Sequence, residues 1–125
     1  MRIPVSKLDW TYNKPKDWVN PFEWLDVVSR QDLSYEFDEI GVIRHMPTGR
    51  MWYAATSGCS CPIPYEEYSI NTETLETDMN EITLQTFPEF ERVIMSFGTA
   101  SYEKVSADDK RNMIQKVKSA LDGGR

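Results

Sequence analysis

The 125-residue sequence has one histidine, two cysteines and no apolar run longer than a few residues. A signal peptide needs an apolar stretch of about 7–15 residues and a membrane span needs about 20, so neither is predicted. We therefore expect a cytoplasmic protein without membrane contact. The scarcity of histidine and cysteine also restricts metal chemistry, because a structural zinc ion usually takes four such ligands.

The short motifs that mark common enzyme classes are also missing. The sequence contains no nucleophile elbow, no phosphate-binding loop, no dinucleotide-binding fingerprint and no His-Glu-x-x-His motif. Adjacent acids, such as Asp38-Glu39 and Glu66-Glu67, are too numerous to single out one pair for two-carboxylate hydrolysis. We therefore predict a protein without enzymatic activity.

Positive charge is absent from the middle of the chain, since no Lys or Arg occurs between Arg50 and Arg92. Residues 61–103 carry a net charge of −8, whereas residues 1–60 carry −1 and residues 104–125 carry +3. A chain at −6 overall lacks the clustered basic residues that hold nucleic-acid backbone, so direct nucleic-acid binding is not expected. A stretch of one sign can steer a basic partner, and the alternative is a solvated acidic loop that only aids solubility. The candidate partner-binding acids are Glu66, Glu67, Glu73, Glu76 and Asp78.

Length and composition indicate a single domain spanning residues 1–125. Apolar residues make up 40% and charged residues 27%, as in ordinary globular proteins. Aromatic residues and prolines are concentrated near the amino terminus, so we predict that residues 1–19 form an irregular or short extended arm packed on the domain. Trp10 and Trp18 in this arm are alternatively candidates for partner contacts, because Trp is enriched at interface hot spots.

Local patterns predict a helix near the amino terminus, followed by a hairpin. The run Asn-Pro-Phe-Glu at residues 20–23 is typical of a helix start, although Val27-Val28 is also compatible with a strand. Apolar and polar residues then alternate over residues 33–42, and Pro-Thr-Gly at residues 47–49 is turn chemistry. Residues 51–56 return as the partner strand.

The segment after the hairpin is predicted to be largely irregular. Residues 57–64 contain one glycine and two prolines, which favour a shaped loop. Residues 65–81 are polar and acidic and are predicted as mostly loop, and residues 82–85 as a short strand.

Two helices are predicted in the last third of the chain. Thr-Phe-Pro-Glu at residues 86–89 repeats the capping pattern, and Gly98 is a plausible stop. The last helix begins at residues 106–109, with acids in its first turn, and ends at Gly123-Gly124. The apolar stripes are Phe90, Val93, Ile94 and Phe97 in one helix and Met113, Ile114, Val117 and Leu121 in the other. Together these elements predict an α+β fold, in which a small antiparallel sheet built on a central hairpin packs with two C-terminal helices.

Soft metal donors are limited to Cys59, Cys61 and His45. We expect His45 to face solvent near the hairpin turn, at the opposite end of the sheet from the cysteines. This placement disfavours both a shared metal site and a Cys-His nucleophile pair. One hypothesis is zinc ligation by Cys59 and Cys61, completed by carboxylates such as Glu66 or Glu67 or by a second chain. The alternative is a buried structural loop in which the thiols act as small apolar side chains, and no other cofactor is predicted.

Residues 49–62, Gly-Arg-Met-Trp-Tyr-Ala-Ala-Thr-Ser-Gly-Cys-Ser-Cys-Pro, are followed by Pro64-Tyr65-Glu66. This run resembles a family of small proteins encoded by viruses of actinobacteria, which carries a Gly-Cys-Ser-Cys-Pro signature after an aromatic strand and before an acidic stretch. The resemblance covers about residues 37–70. It implies a small intracellular phage accessory protein that binds a host protein, and it transfers no catalytic or binding residue.

Three functions follow as hypotheses. The leading one is a non-enzymatic phage accessory protein that binds or regulates a host or viral protein. The second is a zinc-binding protein that uses the loop containing Cys59 and Cys61. The third is an acidic nucleic-acid mimic, whose carboxylates imitate phosphates and occupy a DNA-binding protein.

Overall fold

The computed structural model describes residues 1–8, 19–59 and 63–123. Within these ranges the chain forms strands and helices that confirm the predicted α+β class. In chain order these are β1 (Arg2–Pro4), β2 (Phe22–Ser29), β3 (Glu36–His45), β4 (Met51–Cys59), β5 (Ser69–Asn71), β6 (Asn80–Ile82), α1 (Phe87–Ser96) and α2 (Ala107–Gly123). None of these helices is both long enough and apolar enough to cross a membrane.

The central β3–β4 hairpin is confirmed, but its first strand begins at Glu36 and not at Leu33 as predicted, and its second strand is longer than predicted. Its register runs from Arg44 opposite Met51, beside the turn, to Glu36 opposite Cys59 at the open end. Gly49 in the turn has a φ of 74°, a conformation that glycine adopts without steric cost. The prediction of loop at residues 57–59 is wrong, because the start of β3 offers these residues backbone partners.

The predicted helix after residue 20 is also wrong, because this segment is β2. It pairs antiparallel with β3, from Phe22 opposite His45 to Ser29 opposite Glu39, with a bulge between Trp24 and Asp26. The side chain of Asn20 does accept the Phe22 N–H at 3.0 Å, so the local capping chemistry is real. The long ladder with β3 nevertheless makes the segment extended, since tertiary pairing overrides a local preference.

Helices α1 and α2 cover one face of the four-stranded sheet, whose order is β2-β3-β4-β6. Ile40 and Val42 of β3 point to this face, in agreement with the two-residue period of a strand. The predicted helical stripes are the contacting surfaces. Phe90, Ile94, Met113 and Val117 are fully buried, and Val93, Phe97, Ile114 and Leu121 are partly buried against them.

A second layer covers the opposite face, where Ile43, Trp52 and Ala54 are buried. We call residues 1–8 and 63–79 the covering layer. Its strands β1 and β5 pair antiparallel, and its buried side chains are Ile3, Val5, Leu8, Tyr65, Ile70, Leu75 and Met79. The first part of the predicted arm therefore packs on the sheet, whereas Trp10 and Trp18 lie outside the described residues.

The short strand predicted at residues 82–85 is displaced, since β6 ends at Ile82 and pairs with β4. Thr83 instead begins the turn into α1: its N–H donates to the Thr86 hydroxyl at 2.7 Å, and its carbonyl accepts the Phe87 N–H at 2.8 Å. The predicted start of α1 is confirmed, with Pro88 in the first turn. Gly98 follows the helix with a φ of 67°, as a helix stop requires.

Candidate functional site

The acids predicted to bind a partner all lie in the covering layer, and all are exposed. Three of them are carried by a small hairpin in which β5 is followed by a tight turn. The Asn71 N–H donates to the Glu76 carbonyl at 2.9 Å, and Ile70 forms a bridge with Thr77. The Asn71 side chain also accepts the N–H groups of Glu73 and Thr74, at 2.9 and 3.1 Å. These bonds hold the turn in place and determine where its carboxylates project.

Buried apolar anchors explain why the acids of this hairpin face solvent. Ile70, Leu75 and Met79 belong to the core cluster beneath the covering layer. Leu75 has a φ of 62°, and its N–H donates to the Asn71 carbonyl at 2.8 Å. This left-handed conformation is uncommon for a residue with a Cβ, and burial of the leucine side chain offsets its cost. Glu73, Glu76 and Asp78, which stand between these anchors, have no buried contacts to make and are exposed to solvent.

Two of the acids, Glu67 and Asp78, lie near the side chain of Tyr68. The Tyr68 hydroxyl donates to the Ala55 carbonyl at 2.7 Å, which attaches the segment to β4. The pKa of Tyr68 is raised by burial and then by the negative charges of Glu67 and Asp78. Asp78 is held in turn by the Ser69 N–H at 3.2 Å. Carboxylates that are eleven positions apart in the sequence therefore act on one phenol.

Glu39 lies beside this acidic group, on the covered face of the sheet. The Tyr65 hydroxyl donates to Glu39 at 3.3 Å, and the Tyr65 ring packs against Trp24 with centroids 4.8 Å apart. Burial raises the pKa of Glu39, and hydrogen bonds from Tyr65 and Ser29 oppose that rise. Burial, followed by the charge of Glu39, raises the pKa of Tyr65 above the ordinary tyrosine value. The sequence analysis missed this pair, although strand alternation places Glu39 on the same face as Gly41.

Counter-charges on the covering layer are few. The amino group of Met1 forms an exposed ion pair with Glu73 at 3.2 Å. Arg2 binds the Ser69 hydroxyl at 2.8 Å and the Glu76 carbonyl oxygen at 3.4 Å, and so contacts the hairpin through groups that carry no charge. The side chains of the covering layer comprise Arg2 and Lys7 against five acids. This layer is therefore the acidic side of the described molecule.

Three of the four other acids of residues 61–103 form ion pairs, and the fourth, Glu91, is exposed and forms none with a described residue. Glu81 binds Arg50 at 2.9 Å, Glu89 binds Arg92 at 2.5 Å and Glu103 binds Arg30 at 3.4 Å. In contrast, Glu66, Glu67, Glu76 and Asp78 form no ion pair with any residue that the structure describes. We call these four residues the acidic surface. The charge of residues 61–103 is thus concentrated in the covering layer, which segment counting alone did not show.

Of the two cysteines predicted to bind zinc, the structure describes only Cys59. Cys59 is exposed at the end of β4, so the prediction of a buried thiol is wrong for this residue. Cys61 lies outside the described residues, and zinc ligation by the pair stays a prediction. Among residues 1–8, 19–59 and 63–123, no group of three or more His, Cys, Asp or Glu side chains is arranged to hold a metal ion.

His45 lies at the other end of the hairpin from Cys59, as the register shows. The expectation that it faces solvent is wrong, because its ring is buried against Phe22 with centroids 5.1 Å apart. Its Nδ1 shares a hydrogen bond of 2.8 Å with the Thr48 hydroxyl. Burial, followed by the charge of Arg50, lowers the pKa of His45. His45 and Cys59 therefore cannot act on one substrate atom.

A charged cluster that the sequence analysis did not find surrounds Arg30. Its guanidinium binds Asp32 at 2.6 Å and both Asp38 and Glu103 at 3.4 Å. The hydrogen bond from Arg30 holds the pKa of Asp32 well below its usual range. Because Asp32 also accepts the Lys104 N–H at 3.1 Å, the cluster ties the end of β2 to the segment before α2. We assign it a structural role, since its carboxylates are all engaged by the arginine.

A family model described as Domain of unknown function (DUF7574) matches residues 10–120. The chain belongs to the DUF7574 family. The DUF7574 match includes the whole four-stranded sheet, α1, most of α2 and the acidic surface, and leaves out β1. No curated protein and no solved structure matches the chain.

Proposed function

We propose that this protein is a non-enzymatic phage accessory protein that binds a basic region of a host or viral protein through the acidic surface. The observation that carries the proposal is the grouping of four exposed carboxylates without ion pairs to described residues in one layer of the molecule. The carboxylates of the acidic surface are exposed and have no ion-pair partner among the described residues, whereas Glu81, Glu89 and Glu103 each bind an arginine. The resemblance at residues 58–62 supports a phage origin and action in the cytoplasm of the host.

The local structure also favours binding to a partner. Carboxylates of one sign on a small domain create a field that steers a basic partner and increases the association rate. The hairpin bonds of Asn71 and the Tyr68 contact fix the backbone that carries these groups before binding. A preorganised surface loses less conformational entropy on association, which increases affinity.

The test compares three baits. In the first variant the acidic surface is neutralised by Glu66→Gln, Glu67→Gln, Glu76→Gln and Asp78→Asn. In the matched control the same number of exposed acids elsewhere is neutralised by Glu23→Gln, Glu91→Gln, Asp109→Asn and Asp122→Asn. We expect wild type and control to retain the same protein from an actinobacterial lysate, and the acidic-surface variant to lose it. The captured protein is identified by mass spectrometry.

Salt and DNA refine this result. Raising ionic strength from about 0.1 to 0.5 M should release the partner, because exposed charges are screened over a shorter distance. If all three baits retain the same proteins, or if neither wild type nor control retains any, the proposal is wrong. Release of the partner by added duplex DNA would favour the nucleic-acid mimic, in which the partner is a DNA-binding protein.

A further inference from the structure

Arg44 is half-buried on the face of the sheet that is opposite the covering layer, and one nitrogen of its guanidinium is unsatisfied. In β3 Arg44 stands two residues after Val42. Its side chain therefore points to the same face of the sheet, on which α1 and α2 pack. Its Nε atom is buried and has no hydrogen-bond partner among the residues that the structure describes. A buried guanidinium N–H without an acceptor is unfavourable, so its retention requires an explanation.

The Arg44 side chain lines a shallow cavity of about 470 Å³ that opens widely to solvent between the sheet and the second half of α2. Lys116, Gln115 and Ser119 of α2 add one further cation and two polar groups. Leu25, from the β2 bulge, contributes apolar surface. Its volume lies in the range of small-molecule sites, and its lining combines apolar surface with polar groups, of which the Gln115 amide donates to the Ser119 hydroxyl at 3.1 Å.

The acids near this cavity leave the positive charge of Arg44 uncompensated. Asp26 lies 3.6 Å from the Lys116 Nζ and partly neutralises that side chain, which is half exposed. Glu23 is the cross-strand neighbour of Arg44 but forms no ion pair with it. Gly123 of α2 also lines the cavity. No carbonyl of the described residues accepts the Arg44 Nε proton.

We propose that this cavity binds a small organic anion, whose carboxylate or phosphate group accepts hydrogen bonds from Arg44 and is drawn to Lys116. The planar guanidinium suits the two oxygens of such a group, and a bound anion supplies the acceptor that the Nε lacks. The apolar part of the ligand would contact Leu25 and Ala120. Because the cavity and the acidic surface lie on opposite faces of the sheet, the two proposals stand or fall separately.

The test is an NMR titration of the full chain with phenyl phosphate, with benzoate and with the neutral benzyl alcohol. The signals followed are the Arg44 Nε–H and the backbone amides of Gln115 and Ser119. We expect saturable shifts of all three signals with phenyl phosphate or benzoate and none with benzyl alcohol. The anion that saturates at the lower concentration identifies the ligand group as phosphate or carboxylate.

Variants assign the binding to the guanidinium. Arg44→Gln should weaken the affinity roughly tenfold or more, as loss of a charge-assisted hydrogen bond does. The matched control is Arg111→Gln, which changes an exposed arginine of α2 that pairs with Asp108, and it should bind as wild type does. If Arg44→Gln does not fold, the half-exposed Lys116→Gln takes its place, with a weaker loss of affinity expected. Unchanged affinity in the variant tested, or shifts that do not saturate and spread over exposed basic residues, overturns the proposal.

Discussion

Gly41 shows how one missing side chain shapes the covered face of the sheet. A Cβ at this position would lie 2.5 Å from the Tyr65 hydroxyl oxygen and 2.7 Å from the Trp24 ring. Both distances are too short for a real Cβ, so both rings would have to move. The hydroxyl is bound to Glu39, and the rings are packed together, which limits their freedom. Glycine at 41 therefore permits Tyr65 to cross the sheet and anchor the covering layer.

The first prediction concerns this contact. Gly41→Ala should lower the free energy of unfolding by about 1–3 kcal/mol, the usual cost of overpacking a core. Urea denaturation measures the change. Gly123→Ala is the matched control, because nothing lies within 4 Å of its added Cβ, and it should change stability by no more than about 0.5 kcal/mol. If Gly41→Ala is as stable as wild type, Tyr65 does not pack over this residue.

The second prediction uses the only histidine of the chain. The pKa of His45 is lowered in the folded protein, first by burial and then by Arg50. As the pH falls below 6.5, the ordinary pKa of histidine, His45 therefore takes up a proton more readily in the unfolded chain than in the folded one. Wild type should lose stability relative to His45→Gln as the pH falls from about 7.5 to 5.5.

Denaturation of both proteins at several pH values measures this difference. The pKa of Glu39 is shifted in the opposite sense, because burial raises it, so its contribution to stability falls as the pH rises through its folded value. Glu39 is present in both proteins, so subtracting one curve from the other leaves the histidine. Parallel curves would show that His45 titrates normally in the folded state.

Among the elements, the helices are where sequence and structure agree best. The stripe Phe90, Val93, Ile94 and Phe97 predicts the buried side of α1, and the structure buries its members fully or in part. The spacing of 3.6 residues per turn is a property of the segment alone, so it can be read locally. In contrast, residues 20–23 carry a helix-start pattern, but the segment becomes strand β2. The reason is that β3 offers it a ladder of backbone hydrogen bonds, and residues 20–23 do not encode where β3 lies.

The third prediction tests which side of α1 is buried. Ile94 is 0% exposed and its neighbour Met95 is 51% exposed. Ile94→Ala should lower the free energy of unfolding by about 2–5 kcal/mol, because it leaves a cavity among packed side chains. Met95→Ala should change it by less than about 0.5 kcal/mol. Equal effects of the two substitutions in chemical denaturation would contradict the orientation of α1.

At the scale of the whole molecule, charge is separated by the sheet. The acidic surface lies on the covering layer, and α2, with four of the six basic residues of segment 104–125, packs on the other face. The sequence shows where the excess of acids lies along the chain, but not which of their carboxylates form ion pairs. The pairing depends on Arg50 and Arg30, which belong to the first half of the chain and reach Glu81 and Glu103 only through the tertiary fold.

The fourth prediction concerns the stability cost of the acidic surface. Carboxylates without counter-ions repel one another, so Glu66→Gln, Glu67→Gln, Glu76→Gln and Asp78→Asn together should leave the melting temperature unchanged or higher at low salt. The amide oxygens can still accept the Ile63 and Ser69 N–H bonds. Any gain should vanish at about 0.5 M salt, where repulsion is screened. A lower melting temperature at low salt would mean that these acids stabilise the fold instead of serving a partner.

The sequence by itself determined the α+β class, the β3–β4 hairpin, both helices and the acidic stretch, because periodicity, capping and turn chemistry act over a few neighbouring residues. Only the tertiary structure decided that residues 22–29 form a strand and that the Tyr65 ring packs over Gly41. It also decided which carboxylates have no ion-pair partner, and the surroundings of Arg44, where β3 meets α2. These features depend on contacts between distant segments, which form when both faces of the sheet are buried and which no local pattern encodes.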